Sequence, residues 1–407
     1  MNATADDPAK LFTPYNMSIL MRTIAGALDP NRRQLFYLLP LAHRFGHLAL
    51  EPHHLHALHG DAFDELVIIV QPFARRPVSK GLYALQRQIV RFVECPNARV
   101  VSMGFHDGAM QENDEFSLLL RSCEGLIYDH NELVRRRGYW TYLTLPDELI
   151  EARSSFLRDL GVGNGEPWVT LHVRDASYLP DQTTHAYRCA EIETYRQTID
   201  YLSREGYWIF RLGDEATLPI KDPPPRLVEL AHLPDYDTTL DAPLIAGARI
   251  SINNSSGPEA VSRVLGTPML LSNSFLDRGG ATERTLILPK WFRDLGSGSE
   301  LSYEEFLARD LHLAHDASVF EANGVEMLDN TPEEILDGVK ELIARCDGTF
   351  VIDPNLDARF RGLGERKDAE VSEVAEQRAS NAGYPHFGPW TNISQTFCAH
   401  RERFLTG

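Results

Sequence analysis

The stretch Gln34-Leu35-Phe36-Tyr37-Leu38-Leu39-Pro40-Leu41 is the first clear element of the chain. It is apolar without alternation and of strand length, the pattern of a strand covered on both faces, as in a parallel sheet. A loop, Ala42 to His47, follows it, and then a helix through Leu58. Leu66-Val67-Ile68-Ile69-Val70 repeats the buried-strand pattern. Val78 to Val93 carries Leu82, Leu85, Ile89 and Phe92 at helical spacing, and Ala98 to Met103 reads as a further strand. Strands alternating with helices predict βαβ units and a mainly parallel sheet.

The pattern then restarts. Leu145 to Leu160 reads as a helix with a proline near its first turn, and Gly161 to Pro167 (GVGNGEP) as a glycine-rich linker. After it come strand Trp168–Val173, helix Glu193–Glu205, strand Tyr207–Arg211, strand Arg249–Asn253, helix Pro258–Leu265 and strand Met269–Leu271. Pro332 to Arg345 reads as a helix, and Asp357 to Arg378 as a charged, mobile stretch. The expected fold class is α/β, with two Rossmann-like doubly wound domains, an N-terminal one over residues 1–160 and a C-terminal one with a helical tail over 161–407. Such sheets bind ligands in the cleft at the carboxyl ends of their strands.

Composition narrows the functions. With 43% apolar and 24% charged residues the 407-residue chain matches a soluble globular protein. A net charge of −18, from 40 Lys plus Arg against 58 Asp plus Glu, opposes binding to nucleic acid and to anionic membranes. Leu35 to Ala42, the longest apolar stretch near the start, is far too short to span a bilayer, and residues 1–30 lack the basic start and apolar core of a secretory signal. Cys95, Cys123, Cys189, Cys346 and Cys398 are scattered, odd in number and never in CxxC spacing, so they read as reduced thiols of a cytoplasmic protein.

The chemistry-bearing residues cluster after strands. His172-Val173-Arg174-Asp175 ends the first strand of the second domain, where an arginine offers a planar fork of donors to a phosphate. The bland alternative is a core His172 and an Arg174 paired with Asp175. The next strand ends in Arg211-Leu212-Gly213, a second arginine delivered to the same rim. Asn253-Asn254-Ser255-Ser256-Gly257-Pro258-Glu259 precedes a helix, with Pro258 suited to the first turn and Ser256 or Gly257 to the cap. Free N–H groups and the helix dipole make such a start an anion site, or simply an ordinary cap. Together the three segments suit a phosphate or diphosphate. The sequence holds neither GxxxxGK[ST] nor GxGxxG, the signatures of ATP hydrolysis and nicotinamide chemistry.

In the first domain Gly46 allows close approach to a ligand, and His47 is suited to general base work near neutral pH; Glu51 follows it. His43, His47, His53, His54, His56 and His59 crowd this segment, but no HExxH and no nearby cysteine pattern accompanies them, so no metal is expected and most should lie on the helix surface. His185-Ala186-Tyr187-Arg188, leading to Glu193, Tyr195 and Arg196, reads either as a loop closing over the site or as ordinary solvated polar residues.

Taken in order, Arg44 to Pro52 (RFGHLALEP), Leu171 to Asp175 (LHVRD), His185 to Tyr195, Gly206 to Gly213 (GYWIFRLG), and Ser255 to Pro268 (SSGP followed by a GTP strand) resemble an uncharacterised bacterial glycosyltransferase family found in surface-polysaccharide gene neighbourhoods. The His172-x-Arg174 element is also similar to the arginine motif of fucosyltransferase-like enzymes. The one departure is Cys189, where the family pattern places Asn. The resemblance implies a GT-B architecture and a metal-independent transfer from a nucleotide sugar to a hydroxyl acceptor, a glycan or glycolipid. No cofactor and at most peripheral membrane contact are expected. His172, Arg174, Arg211, Gly213, Asn254, Ser255, Ser256, Gly257 and Glu259 would serve the donor, with Arg174 also catalytic. His47, or else Asp175, would act as base, and Gly46, Glu51, His185 and Arg188 would lie on the acceptor or loop side. The sugar-nucleotide 2-epimerases share this architecture, so an isomerase is the alternative, as is a non-catalytic sugar-nucleotide-binding protein.

Overall fold

The computed structural model describes residues 7–108, 111–175, 183–214, 216–234, 236–275, 282–314, 316–375 and 392–406. The chain divides into two compact units, Met1–Leu149 and Ile150–Gly407.

The first unit runs α1 (Pro8–Leu11), α2 (Pro14–Ala27), β1 (Gln34–Leu38), α3 (Phe45–His59), β2 (Glu65–Val70), α4 (Lys80–Gln86), β3 (Arg91–Glu94), α5 (Ala98–Ser102), β4 (Gln111–Glu112), β5 (Phe116–Leu119) and α6 (Cys123–Arg137). Its strands are ordered β3-β2-β1-β5-β4. All pairs are parallel except β4 with β5. Every residue of β1 is buried, as an all-apolar strand between two parallel neighbours requires. Because β2 and β3 build out on one side of β1 and β5 on the other, the order reverses between β1 and β5.

Three expectations for this unit are corrected. Ala98 to Met103 is the helix α5 and a 3₁₀ turn, Met103–Phe105, and not a strand. Asn97 caps it by accepting from the N–H groups of Arg99 and Val100, and Val100, Val101 and Met103 are buried in the same core as Leu11 and Leu20 of the N-terminal helices. The helical spacing over Val78–Val93 resolves into α4, capped by Ser79, and the edge strand β3. The segment Ala42–His47 is only partly loop, since α3 already begins at Phe45. The strand β5 was not expected; buried Ser117 interrupts its apolar run.

The second unit follows α7 (Asp147–Asp159), which spans the division. It comprises β6 (Trp168–His172), α8 (Arg196–Arg204), β7 (Trp208–Arg211), β8 (Leu227–Glu229), α9 (Asp241–Gly247), β9 (Ile250–Asn253), α10 (Gly257–Leu265), β10 (Met269–Ser274), β11 (Thr285–Pro289), β12 (Trp291–Asp294), α11 (Tyr303–Ala308), α12 (Ser318–Ala322), β13 (Val325–Leu328), α13 (Pro332–Cys346), α14 (Pro354–Ala375), β14 (Asn392–Ile393) and α15 (Gln395–His400). The main sheet is ordered β14-β11-β10-β9-β6-β7-β8, parallel at each pairing. Here β7 and β8 build out on one side of β6, and β9, β10 and β11 on the other. The order therefore reverses between β6 and β9. The stretch expected to be mobile from Asp357 is helical through Ala375 in α14, and its Phe360 is buried against Tyr303 and Phe404; residues 376–378 lie outside those described. Both units are thus α/β with doubly wound parallel sheets.

Candidate functional site

In an open parallel sheet the loops leaving two strands on either side of a reversal diverge to opposite faces and leave a crevice at their carboxyl ends. In the second unit that crevice lies where β6 and β9 end, and the expected HVRD and NSSGPE segments are what leaves them. Register sets His172 beside Asn253.

Asn254 organises this point. Fully buried, it accepts from the Arg174 N–H through Oδ1 at 2.9 Å, and its Nδ2 donates to the carbonyls of Arg174 and Arg188 at 3.1 Å each. Expected as a ligand for the donor, its carboxamide is instead used on backbone. It ties three chain segments together and fixes the direction in which Arg174 leaves the strand. Cys189 adds a second tie, with its Sγ 3.4 Å from the carbonyl of Asp175. The Cys189 carbonyl accepts from Lys290 Nζ at 2.7 Å, and Lys290 is ion-paired with Asp329 at 2.5 Å.

The start of α10 lies on the other side. Ser256 is its cap residue in an extended conformation, but its hydroxyl makes no capping bond, and Pro258 stands in the first turn. Amide groups of the first turn therefore lack the side-chain acceptor that most helices place there. Ser255 is buried and its Oγ accepts from the Phe275 N–H at 3.3 Å. Glu259 is ion-paired one turn on with Arg263 at 2.6 Å. It stands in the first turn, with Gly257 opening the helix.

Arg211 does not reach the rim as a free fork. It is 1% exposed, and its Nη1 meets Glu229 of β8 at 2.5 Å and the Leu218 carbonyl at 2.8 Å. Its Nε and Nη2 are buried without a hydrogen-bond partner. Breaking such a pair on one side costs about 3–5 kcal/mol, because it strands a buried charge, so Arg211 is first a structural residue. Its field still acts at the strand ends. Burial, then the charges of Arg211 and Arg174, press the pKa of His172 down to about 4, against the opposing pull of Asp175. His172 is therefore a neutral ring with a buried Nδ1 lacking a partner, in a region of positive potential. Gly213 is required by close approach: a Cβ there would stand 2.5 Å from Thr217 Oγ1, whose hydroxyl also accepts from the Asp214 N–H.

Arg188 lies with its guanidinium 5.6 Å from the Tyr187 ring and its Nε buried without a partner. The side chain of His185 lies outside the described residues, and Asp175 is the last described residue before residue 183. A network that the sequence did not announce backs the site. Tyr195 Oη lies 2.9 Å from Ser272 Oγ and accepts from Asn273 Nδ2 at 3.0 Å. Asn273 and Asn330 exchange backbone-to-side-chain bonds at 2.7 Å in both directions. Asn273 has φ of +46°, a conformation asparagine tolerates better than most residues, and Ser272 Oγ donates to the Asn253 carbonyl at 3.1 Å.

The reversal in the first unit is built differently. The start of α3 follows β1, and Cys123 at the start of α6 follows β5. Glu51, 2% exposed, accepts from Tyr37 Oη at 2.5 Å and from His47 Nδ1 at 2.6 Å. An ionised carboxylate only accepts, so the hydrogen lies on Nδ1 and Nε2 of His47 is the basic nitrogen. Burial and the Glu51 charge hold the Tyr37 hydroxyl and the Cys123 thiol well above their ordinary pKa values. Both therefore stay protonated beside the carboxylate. Gly46 sits in the first turn of α3 ahead of His47. Glu51, expected only as a loop or acceptor residue, is the group that orients the imidazole.

Two groups among the described residues have the composition of a metal site. One is His47, Glu51 and Cys123; the other is His53, His54 and His130. The expected surface placement of the histidines is corrected here: His53 and His54 are 1% and 3% exposed, and of the six only His56 is exposed. The five cysteines are free thiols. Among the described residues no helix is long and apolar enough to cross a membrane.

No family model matches the sequence, and neither does any curated protein. Among solved structures, the chain is similar to a family 9 glycosyl transferase from Veillonella parvula DSM 2008, at 11% identity and a TM-score of 0.46 over 78% of this chain and 99% of that one. It is also similar to the E. coli ADP-heptose LPS heptosyltransferase II, at 12% identity and a TM-score of 0.43, with the same coverages of 78% and 99%. A third is the dodecameric iron-containing heptosyltransferase TibC in complex with ADP-D-beta-D-heptose, at 14% identity and a TM-score of 0.38 over 80% of each chain. Similarity this low assigns no activity, and the two doubly wound sheets are established by their own strand order.

Proposed function

We propose that the chain is a glycosyltransferase that moves a sugar from a nucleotide-sugar donor to a hydroxyl acceptor, without a metal ion at the departing phosphate. The observation that carries this reading is the Asn254 bracket. It holds Arg174 at the reversal of the second sheet, next to a helix start whose cap makes no side-chain bond. A guanidinium and the amino end of a helix are both donors, and donors held in place before reaction stabilise charge developing on a leaving group. In this reading the bond from the anomeric carbon to the diphosphate oxygen breaks, and the acceptor oxygen forms the new bond to that carbon. The negative charge arriving on the diphosphate is met by Arg174 and the first turn of α10. The acceptor hydroxyl gives its proton to His47 Nε2, with Glu51 stabilising the imidazolium; Asp175 is the second choice of base. His172 stays neutral and adds a polar contact without adding charge. The buried Arg211 contributes field only. The acceptor fits a glycan or glycolipid of surface polysaccharide synthesis, met in the cytoplasm with at most peripheral membrane contact.

Thermal stabilisation by ADP, GDP, UDP, dTDP and CMP, each with and without Mg²⁺, tests the reading. A ligand at one hundred times its dissociation constant adds about 2.7 kcal/mol. The expected result is a shift confined to one base and independent of Mg²⁺. No shift with any nucleotide would refute the donor site, and a shift that requires Mg²⁺ would refute the metal-free phosphate grip.

A further inference from the structure

We propose that His53, His54 and His130 form a binding site for one first-row transition-metal ion of the zinc type, a structural centre pinning α3 to α6. One ring nitrogen of each lies within 4.8 Å of the others. All three residues are at most 3% exposed, and the rings meet face to face or edge to face, with His54 and His130 stacked at 3.9 Å between centroids and His53 at 5.5 and 5.6 Å from the other two.

Hydrogen bonding fixes the chemistry of His53. Its Nε2 stands 2.8 Å from the Thr141 carbonyl, which can only accept, so Nε2 carries the hydrogen and Nδ1 presents a lone pair. Metal-binding histidines are usually held this way, the second nitrogen donating to a carbonyl that sets tautomer and ring orientation. The lone-pair nitrogen is buried and has no hydrogen-bond partner, and Nδ1 of His130 is likewise buried without one. A buried polar atom left without a partner is costly, and an ion would meet it. A buried imidazole lone pair such as the one His53 Nδ1 presents is what zinc, nickel, cobalt or copper ions bind. Zinc bonds imidazole at about 2.0–2.1 Å, so loading turns the His54 and His130 rings out of their stack until the three nitrogens, within 4.8 Å of one another, converge on one ion. Trp140 closes the group, its ring stacked 5.6 Å from His53 and 4.6 Å edge-on to His130. The site takes no part in phosphate binding and does not rest on the glycosyl-transfer reading. It joins the two helices that also carry His47, Glu51 and Cys123.

The test uses the full, tag-free chain, stripped with chelator and titrated with Zn(II) and with Co(II). The expected result is uptake of one ion per chain, a visible absorption band of nitrogen-ligated Co(II), and a higher thermal midpoint on loading. His130→Gln should lose the ion and the band while keeping its circular dichroism, and His47→Ala should keep both. A folded wild-type chain that takes up no stoichiometric ion overturns the proposal, and leaves a dry stack of neutral rings. Retention of the ion by His130→Gln also overturns it. So does loss in His47→Ala alone, which would place the ion on His47, Glu51 and Cys123. Should His130→Gln fail to fold, His54→Gln supplies the same reading, and the wild-type titration stands without either.

Discussion

At the reversal of strand order the first unit presents an imidazole held by a carboxylate, whereas the second presents Arg174 at the end of one strand and the amino end of a helix after the next. Both sheets reverse their order at such a point, and the electrostatics are opposite. In the first unit Tyr37 and His47 both donate to Glu51, a carboxylate that would repel a phosphate. In the second, the Asn254 bracket fixes the backbone of Arg174, and burial, then the charges of Arg211 and Arg174, hold His172 unprotonated. That is a place for negative charge to arrive. The contrast teaches that sheet order places the sites, while the residues immediately after each strand decide what each one can do.

Removing the proposed base should have the largest effect. General base catalysis contributes about 10²–10⁴-fold, so His47→Ala should lower kcat by a factor in that range and leave the nucleotide-dependent thermal shift intact. Turnover is measured with the nucleotide sugar whose free diphosphate stabilises the wild type. Loss of the nucleotide shift in this variant would break the division between the two units.

Arg174→Ala should act in the complementary way. Removing one preorganised donor from a site of developing charge costs about 10²–10³ in rate, and here the nucleotide shift should shrink as well. Because Arg174 is 8% exposed, unchanged circular dichroism is needed to read the result as chemistry. A variant with wild-type turnover removes Arg174 from the mechanism, and leaves the Asn254 bracket as a purely structural device.

How much of this could be read from the sequence depends on how local the determining contact is. The run over Leu35–Leu38 is a buried strand in isolation and in the fold, because continuous apolar character already implies two covered faces. The cap at Ser256 with Pro258 was legible for the same reason, since a helix start is decided within a few residues. Ala98–Met103 was misread because Val100, Val101 and Met103 suit either period, and only their packing with Leu11 and Leu20 selects the helix. Arg211 looked like a rim residue because nothing nearby in sequence reveals Glu229 across a strand pair. Likewise His53 and His54 looked like surface residues, for their burial depends on His130 and Trp140 arriving from another helix and its following loop. Asn254 was expected as a donor ligand, and its bonds to the backbone of Arg174 and Arg188 appear only once β6 and β9 are neighbours.

The smallest predicted effect sharpens the comparison from the other side, because the second unit also holds a carboxyl group in an unusual state. Asp241 opens α9 and accepts from Tyr236 Oη. Burial raises its pKa to about 7; the Tyr236 bond opposes this and the Asp237 charge adds to it. The folded chain therefore keeps a proton that the unfolded chain releases above about pH 4. Stability from this group is full below the unfolded value and falls as pH rises towards 7, with a slope bounded by about 1.4 kcal/mol per pH unit for one proton. Asn accepts from Tyr236 without titrating, so Asp241→Asn should flatten that slope and leave the variant more stable than the wild type at pH 8, by less than it differs at any catalytic residue in rate. Urea midpoints at pH 5 and pH 8 for both chains measure it. Parallel profiles would mean that Asp241 ionises freely in the folded protein.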